Sequence, residues 1–291
     1  MADQRSKDRV LGITRALSRG PLHLLIMGIC AAWMVPWAGL LVSSFRPRQL
    51  ISSTGWWTAL KTPFEFTVEN YQSVLNTQGM DQAFRNSVII SVPATILTIV
   101  VAALAAYAFA WIEMPGRDGL FLVVIGLLVV PLQLTLIPVL KMFANLNLTG
   151  TFPAIWVAHV AYGLPFSVLL LRNFFIALPR DLLESAFLEG AGHFTAFTRL
   201  VLPLSVPSLA ALAIFQFLWI WNDLLIALVY LGGSRQVAPM TVTISNLVSS
   251  YGSSWHLLTS AAFISMILPL ILFFALQRYF VQGILAGAVK G

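Results

Sequence analysis

One acid and one histidine stand in stretches of sequence that otherwise carry no charge. Asp223 interrupts the apolar stretch 204–231, with Asn222 beside it, and His159 falls in the apolar stretch 152–171 near Trp156 and Tyr162. An ionisable group inside a membrane span is costly, and it is a functional candidate by default. For Asp223 the structural alternative is a hydrogen bond that glues helices together. For His159 the expectation is a packing histidine with its nitrogens satisfied. Chemistry of a covalent or metal-assisted kind leaves other signatures. The sequence has no G-x-S-x-G and no H-E-x-x-H, and His23, His159, His193 and His256 are scattered. No catalytic residue and no metal ligand is expected. The single cysteine, Cys30, sits in an apolar run; one thiol makes no disulfide framework and reads as a small buried apolar residue.

These residues must be positioned by helices in lipid. The chain has 291 residues, 58% hydrophobic and 10% charged, where a soluble domain carries about 25% charged. Six stretches are long enough to cross the hydrocarbon: about 22–44, 87–112, 119–140, 152–171, 204–231 and 258–277. A span needs about 20 apolar residues, and a helix satisfies its own backbone there. The first stretch is longer than a signal-peptide core and is read as a retained helix. Pro93, Pro131, Pro138, Pro165, Pro207 and Pro269 fall within the spans and are expected to kink them.

Six spans put both ends of the chain on one side. Eleven of the 17 Lys and Arg lie in the N-terminal segment, the second and fourth loops and the C-terminal tail, against six in the other loops. The positive-inside rule therefore places the termini and the fourth loop in the cytoplasm. The loop from Arg46 to Arg85 then lies outside, with Trp56, Trp57, Phe64, Phe66 and Tyr71 suited to a membrane interface or a docking surface.

The fourth loop, 178–207, reads LPRDLLESAFLEGAGHFTAFTRLVLPLSVP. Asp181 followed by Glu184 resembles a capping box. Leu183, Ala186, Phe187, Gly190, Ala191, Phe194 and Phe197 recur at helical spacing. One amphipathic helix is predicted through them, with Gly190 present for close packing. It would lie on the membrane face or dock into a groove of a partner.

Glu184-Ser185-Ala186, Glu189-Gly190-Ala191, Phe197 and Leu200-Val201-Leu202-Pro203 resemble the EAA loop of ABC importer permeases. The sequence departs from that pattern at Ser185, where alanine is usual, and at Glu189, where aspartate is usual. Trp221-Asn222-Asp223 and the tail Gly283-x-x-x-Gly287-Ala288-Val289-Lys290-Gly291 are similar to the shorter permease subunit of the maltose-type carbohydrate branch. VVPLQLTLIPVL and FQFLWIWNDLL are similar to α-glucoside and glucosylglycerol-type permeases.

The resemblance implies an all-α membrane protein of six transmembrane helices, the type I ABC importer permease fold with a cytoplasmic coupling helix. It implies a cytoplasmic segment 1–21, a permease domain 22–291 with a family-like core at about 82–280, a coupling loop 178–203 and a tail 279–291. Glu184, Ser185, Ala186, Glu189, Gly190, Ala191, His193 and Phe197 would couple to the ATPases, with Gly287, Lys290 and Gly291 as a second contact. Asn222, Asp223, Gln133 and Gln216 would lie on the substrate path. The implied partners are a homologous second permease, two ATPase subunits, an extracytoplasmic sugar-binding protein and the lipid bilayer, with no nucleic acid. ATP and Mg would sit on the ATPases, and this chain would bind no cofactor. The location implied is the inner membrane of a bacterium. An ion-coupled carrier is the alternative, but it requires several intramembrane ionisable groups where only Asp223 and His159 offer themselves.

Overall fold

The computed structural model describes residues 2–61, 65–250 and 254–288, and every regular element among them is helical. In chain order these are α1 (Ala2–Ser44), α2 (Arg48–Ser53), a 3-10 turn (Trp56–Leu60), α3 (Glu69–Asn76), α4 (Met80–Trp111), α5 (Arg117–Gly126), a 3-10 turn (Leu127–Val129), α6 (Leu132–Asn145) and α7 (Phe152–Ile176). After them come α8 (Arg180–Leu188), α9 (His193–Ala196), a π turn (Phe197–Val201), α10 (Leu202–Leu204), α11 (Val206–Trp221), α12 (Leu225–Leu231), α13 (Met240–Ser250) and α14 (Trp255–Ala288). The chain divides into two compact units, residues 1–74 with 251–263 and residues 75–250 with 264–291.

In the first unit, Asn70 is buried and its amide donates to the carbonyls of Ser44 and Arg46 at 2.9 and 2.8 Å. The Tyr71 and Ser44 hydroxyls are 2.7 Å apart. Arg46, 2% exposed, donates to Thr54 Oγ1 and to Thr58 Oγ1 at 3.1 Å. The aromatic residues of this loop divide: Trp56 packs on Gly39, whereas Trp57 and Phe66 are exposed. Phe64 lies outside the described residues. Cys30, expected to be buried, is exposed on α1. From Gly20 to Ser44 that helix turns most of its apolar side chains outward, as a lipid-facing span does.

The second unit is built on α4 and α7. Ala94, Ala102 and Ala106 on α4 and Ala154, Ile155 and Leu171 on α7 are fully buried. Small residues let helix backbones approach closely, the main source of helix association in lipid. One core cluster joins α4, α6, α7, α12 and α13, with Tyr230 and Phe143 at its centre; a second joins α4, α5, α7, α8 and α11 around Phe109, Phe175 and Phe197. A chain of hydroxyls crosses the first cluster, from Thr135 on α6 to Tyr162 on α7 at 2.9 Å and on to Tyr230 on α12 at 2.8 Å.

Four helical stretches are long and apolar enough to span a membrane: Gly20–Ser44, Met80–Trp111, Phe152–Ile176 and Trp255–Arg278. Two bent pairs raise the number to six. Both bends correct the expectation of continuous spans. The third span breaks between α5 and α6 by 101°. Proline disfavours helical backbone in the residue before it, and Val130 ahead of Pro131 is extended at φ −72°, ψ 117°. Pro131 thus starts α6 instead of kinking a helix, and Pro207 likewise falls in the first turn of α11, where proline is favoured. Pro93, Pro138, Pro165 and Pro269 do lie inside helices. The predicted span 204–231 is divided too. Helix α11 stops at Trp221, α12 begins at Leu225, and 12 residues upstream of α11 bend away from it by 76° at Ser205, between Pro203 and Pro207.

The loop between α12 and α13 is held by Asn86 of α4, 1% exposed, whose amide donates to the carbonyls of Gln236 and Ala238 at 3.1 and 3.0 Å. Leucine at position 86 would leave two carbonyls without donors. Such a buried loss costs about 2–3 kcal/mol. Asn86→Leu is expected to lower the unfolding midpoint in detergent by about 4–10 °C, read by the fluorescence of a thiol-free variant on heating.

Candidate functional site

The loop that carries the most sequence signal folds as two short helical arms joined by a tight elbow. Pro179 occupies the N-cap position of α8, and its side chain cannot cap. Asp181 lies in the first helical turn, where its charge complements the helix dipole. The capping-box expectation is therefore corrected. The Ser185 hydroxyl donates to the Asp181 carbonyl one turn back.

Helix α8 ends at Leu188 because Gly190 adopts φ +87°. The amide of Ala191 donates to Ala186 O at 2.9 Å and that of Gly190 to Phe187 O at 3.0 Å. This is the Schellman pattern, in which a left-handed residue satisfies the last carbonyls of a helix. A side chain on Gly190 would meet nothing within 4 Å. Within the chain the glycine is thus required by its backbone conformation and not by close packing. It also breaks the single helix predicted through Phe197.

Beyond the elbow, the arm from His193 is pinned by aromatic rings. His193 Nδ1 is 3.1 Å from the Tyr107 hydroxyl at the end of α4, and its ring meets that of Phe187 at 5.0 Å. Phe197 packs on Tyr107 at 5.1 Å and is 6% exposed. Phe197, read from the sequence as a coupling contact, points into the core and positions the arm. Glu184, Ser185, Glu189, Gly190 and His193 are exposed, while Ala186 and Ala191 are half-buried. Leu183 is the inward anchor of α8. Three large apolar side chains face outward here, Leu182 at 44% and, most of all, Leu188 at 90% and Phe194 at 74% exposure. Leu188 lay off the predicted stripe. Tyr107 carried no local signal either, because it is 86 residues away from its partner.

The polar candidates form a different arrangement. Trp221 is buried, stacks on Phe217 at 5.3 Å and donates its indole N–H to Ser265 O of α14 at 2.9 Å. Asn222 is exposed and its amide returns to Leu218 O at 2.8 Å. Asp223 accepts from the amides of Ile226 at 3.1 Å and Ala227 at 2.9 Å, one carboxylate oxygen each. Its carbonyl accepts from Thr241 Oγ1 at 2.6 Å. The acid therefore terminates one half-helix and starts the next.

His159 of α7 lies 3.9 Å from Asp223 Oδ2. It is fully buried, and neither ring nitrogen has a hydrogen-bond partner. The expectation of a satisfied histidine is corrected. Both residues border a narrow gap, too tight to admit a water molecule, with Ser87, Ser91 and Trp221. One turn further along α7, Gly163 leaves room for the Gln216 amide, which would sit 2.2 Å from a Cβ there. Gln216 is buried with its amide nitrogen unpaired. Gln133 is exposed on the first turn of α6. The structure brings Asp223 to His159, and Gln216 to the same face of α7; Gln133 and Asn222 face outward. In the tail, α14 runs past Gly287 to Ala288, whereas Lys290 and Gly291 lie outside the described residues.

Comparison with known proteins places these features in context. The model of the family described as binding-protein-dependent transport system inner membrane component matches residues 86–286. The osmoprotective compounds uptake permease protein GgtD of Synechocystis sp. is 57% identical over 273 residues, covering 93% of this chain and 92% of that protein. The alpha-glucoside transport system permease protein AglG of Rhizobium meliloti is 49% identical over 235 residues, covering 79% of this chain and 62% of that one. Among solved structures, a bacterial ABC transporter involved in the import of the acidic polysaccharide alginate has the same fold. Its TM-score is 0.73 at 18% identity, over 94% of this chain and 98% of that one.

Proposed function

This chain belongs to the binding-protein-dependent transport system inner membrane component family, and on that premise we propose that it forms half of a pore that passes a small glucoside or glucoside-like osmolyte into a bacterial cytoplasm. It is the permease subunit of an ABC importer. The substrate class rests on similarity to an osmoprotectant permease and an α-glucoside permease. A second, homologous permease completes the pore, and an external binding protein delivers the solute. The chain itself performs no hydrolysis and holds no cofactor; ATP and Mg act on two partner ATPases. Both termini and the loop at 178–207 face the cytoplasm, as the distribution of Lys and Arg supports.

In this reading the α8 elbow is the lever. It docks in a groove of an ATPase, as amphipathic helices do in helix-in-groove recognition. Closure of the ATPase pair on ATP moves the two elbows together, and α4 and α7 pass the motion to the pore as a two-state rigid-body change. Gly287, Lys290 and Gly291 add a second contact from the tail. Asp223 and Gln216 lie on the substrate path with Asn222 and Gln133, the first two set behind its wall and the last two exposed to it.

The observation that carries this proposal is the outward pair Leu188 and Phe194 on an elbow closed by the amides of Gly190 and Ala191. Exposed large apolar side chains clustered at a polar loop mark a docking site. Leu188→Glu combined with Phe194→Glu is expected to reduce co-purification of the ATPases by about tenfold, since a buried charge without a partner costs more than 1.4 kcal/mol. The measurement is the ATPase-to-permease ratio in the purified complex. Unchanged retention would reject the lever.

A further inference from the structure

Three arginines from separate helices reach one cavity beside α8. Its volume is about 360 Å³, and it is open to the outside. Arg117 is the first residue of α5, Arg172 lies near the end of α7 and Arg180 is the first residue of α8. Arg172 is oriented by its environment, since Nε donates to Phe109 O at 3.3 Å and the guanidinium lies 3.9 Å above the Phe121 ring. Arg117 meets only the exposed Asp118, at 3.4 Å, and Arg180 makes no ion pair among the described residues. Trp111 lines the same cavity, and its indole nitrogen is buried without a hydrogen-bond partner. A buried N–H is expensive to leave without an acceptor. Two carboxylates, Glu113 and Glu184, share the lining.

The level of the cavity matters as much as its charge. Trp111 is the last residue of the span Met80–Trp111, Ile176 is the last of Phe152–Ile176, and Arg117 is the first of the bent span. All three span ends meet in this one lining, which puts the cavity at the depth of lipid headgroups. Basic pockets between helices at that depth bind phospholipid headgroups.

We infer that this cavity binds the headgroup of a zwitterionic, ethanolamine-type phospholipid. The phosphate accepts from Arg117, Arg172, Arg180 and the Trp111 indole. The ammonium lies against Glu113 and Glu184, and Phe109 and Ile176 face the glycerol. Guanidinium forks match phosphate oxygens in geometry and charge. The mixed lining selects a headgroup of both signs over a polyanion.

The inference rests on the chain being a membrane permease and not on the lever role of α8, so lipid and ATPase are read separately. The complete transporter, with its partner permease and ATPases, is purified in mild detergent, and its retained phospholipids are identified by mass spectrometry. The wild type is expected to keep one ethanolamine phospholipid per copy of this chain. Arg117→Gln with Arg180→Gln should lower that retention at least fivefold, and Trp111→Phe, which removes the N–H but keeps an aromatic ring, about threefold, with the ATPase ratio unchanged in each. Inorganic phosphate is titrated in parallel against the delipidated complex, following protection of the arginines from phenylglyoxal. Equal lipid in wild type and variants overturns the inference. Protection by millimolar phosphate without any retained lipid overturns the lipid source in favour of a soluble phosphate. Lipid lost only when the ATPases are also lost overturns it in favour of an ATPase contact.

Discussion

Gly190→Val is expected to cut ATP-coupled uptake by about 30-fold, with the permease still inserted and still paired with its partner subunit. Gly190 holds φ +87°, and a β-branched residue there costs about 2–3 kcal/mol, enough to shift the elbow equilibrium by 30-fold or more. The cost falls on the junction between α8 and the arm at His193, because the two bonds that close the elbow come from the amides of Gly190 and Ala191. The strain does not touch the packed faces of α4 and α7, so insertion is unaffected. Asn tolerates left-handed backbone better than other side chains, and Gly190→Asn should recover much of the lost uptake. A steric origin would instead make Gly190→Ala the mildest, with Asn and Val about equally severe, scaling with side-chain size alone. Since a Cβ at this position meets no neighbour within the chain, Gly190→Ala should fall between Asn and Val. Uptake into proteoliposomes containing the whole transporter, scored beside solute-stimulated ATP hydrolysis, measures this series. Normal uptake by Gly190→Val would end the lever assignment.

Asp223→Ala is expected to lower the unfolding midpoint by about 6–10 °C, through the loss of two charge-assisted bonds worth about 3 kcal/mol together. Both carboxylate oxygens are engaged with the first turn of α12, at Ile226 and Ala227. A negative group at the start of a helix also complements the dipole. Uptake should fall by about 100-fold, because the half-helices α11 and α12 lose the group that joins them. The conservative variants separate this structural task from direct solute recognition. Asp223→Asn and Asp223→Ser keep an oxygen acceptor of the kind that caps helices, and they should retain at least half of the lost stability. A residue that only touched solute would instead raise the solute concentration for half-maximal uptake and leave the midpoint in place. Heating curves and uptake saturation on the same four proteins decide between them.

Much of this architecture was legible in composition and spacing. The six apolar stretches were recognised because a bilayer selects on length and polarity, which are local properties of the chain. The EAA-like loop was recognised for the same reason, since Glu184, Gly190 and Pro203 stand within 20 residues of one another. What spacing misjudged was the continuity of the elements. Residues 183–197 keep an apolar period that reads as one helix, yet a single left-handed glycine divides it. Residues 119–140 carry no charge and read as one span, yet Pro131 turns the chain by 101°.

The roles of individual side chains were decided in three dimensions. Phe197 and Phe194 belong to the same sequence stripe, but one is 6% and the other 74% exposed. The difference comes from Tyr107, which the fold carries to the elbow from the far end of α4. Asp223 stands out in the sequence as an acid in an apolar run, while its engagement with the backbone of α12 and its approach to His159 exist only once the helix has broken. The sequence by itself determined that the chain is rich in membrane-length apolar stretches and which loop resembles the EAA pattern, because each follows from residues near one another in the chain. The tertiary structure alone decided which of those residues are exposed and which hold the fold, because burial depends on neighbours that the linear order keeps far apart.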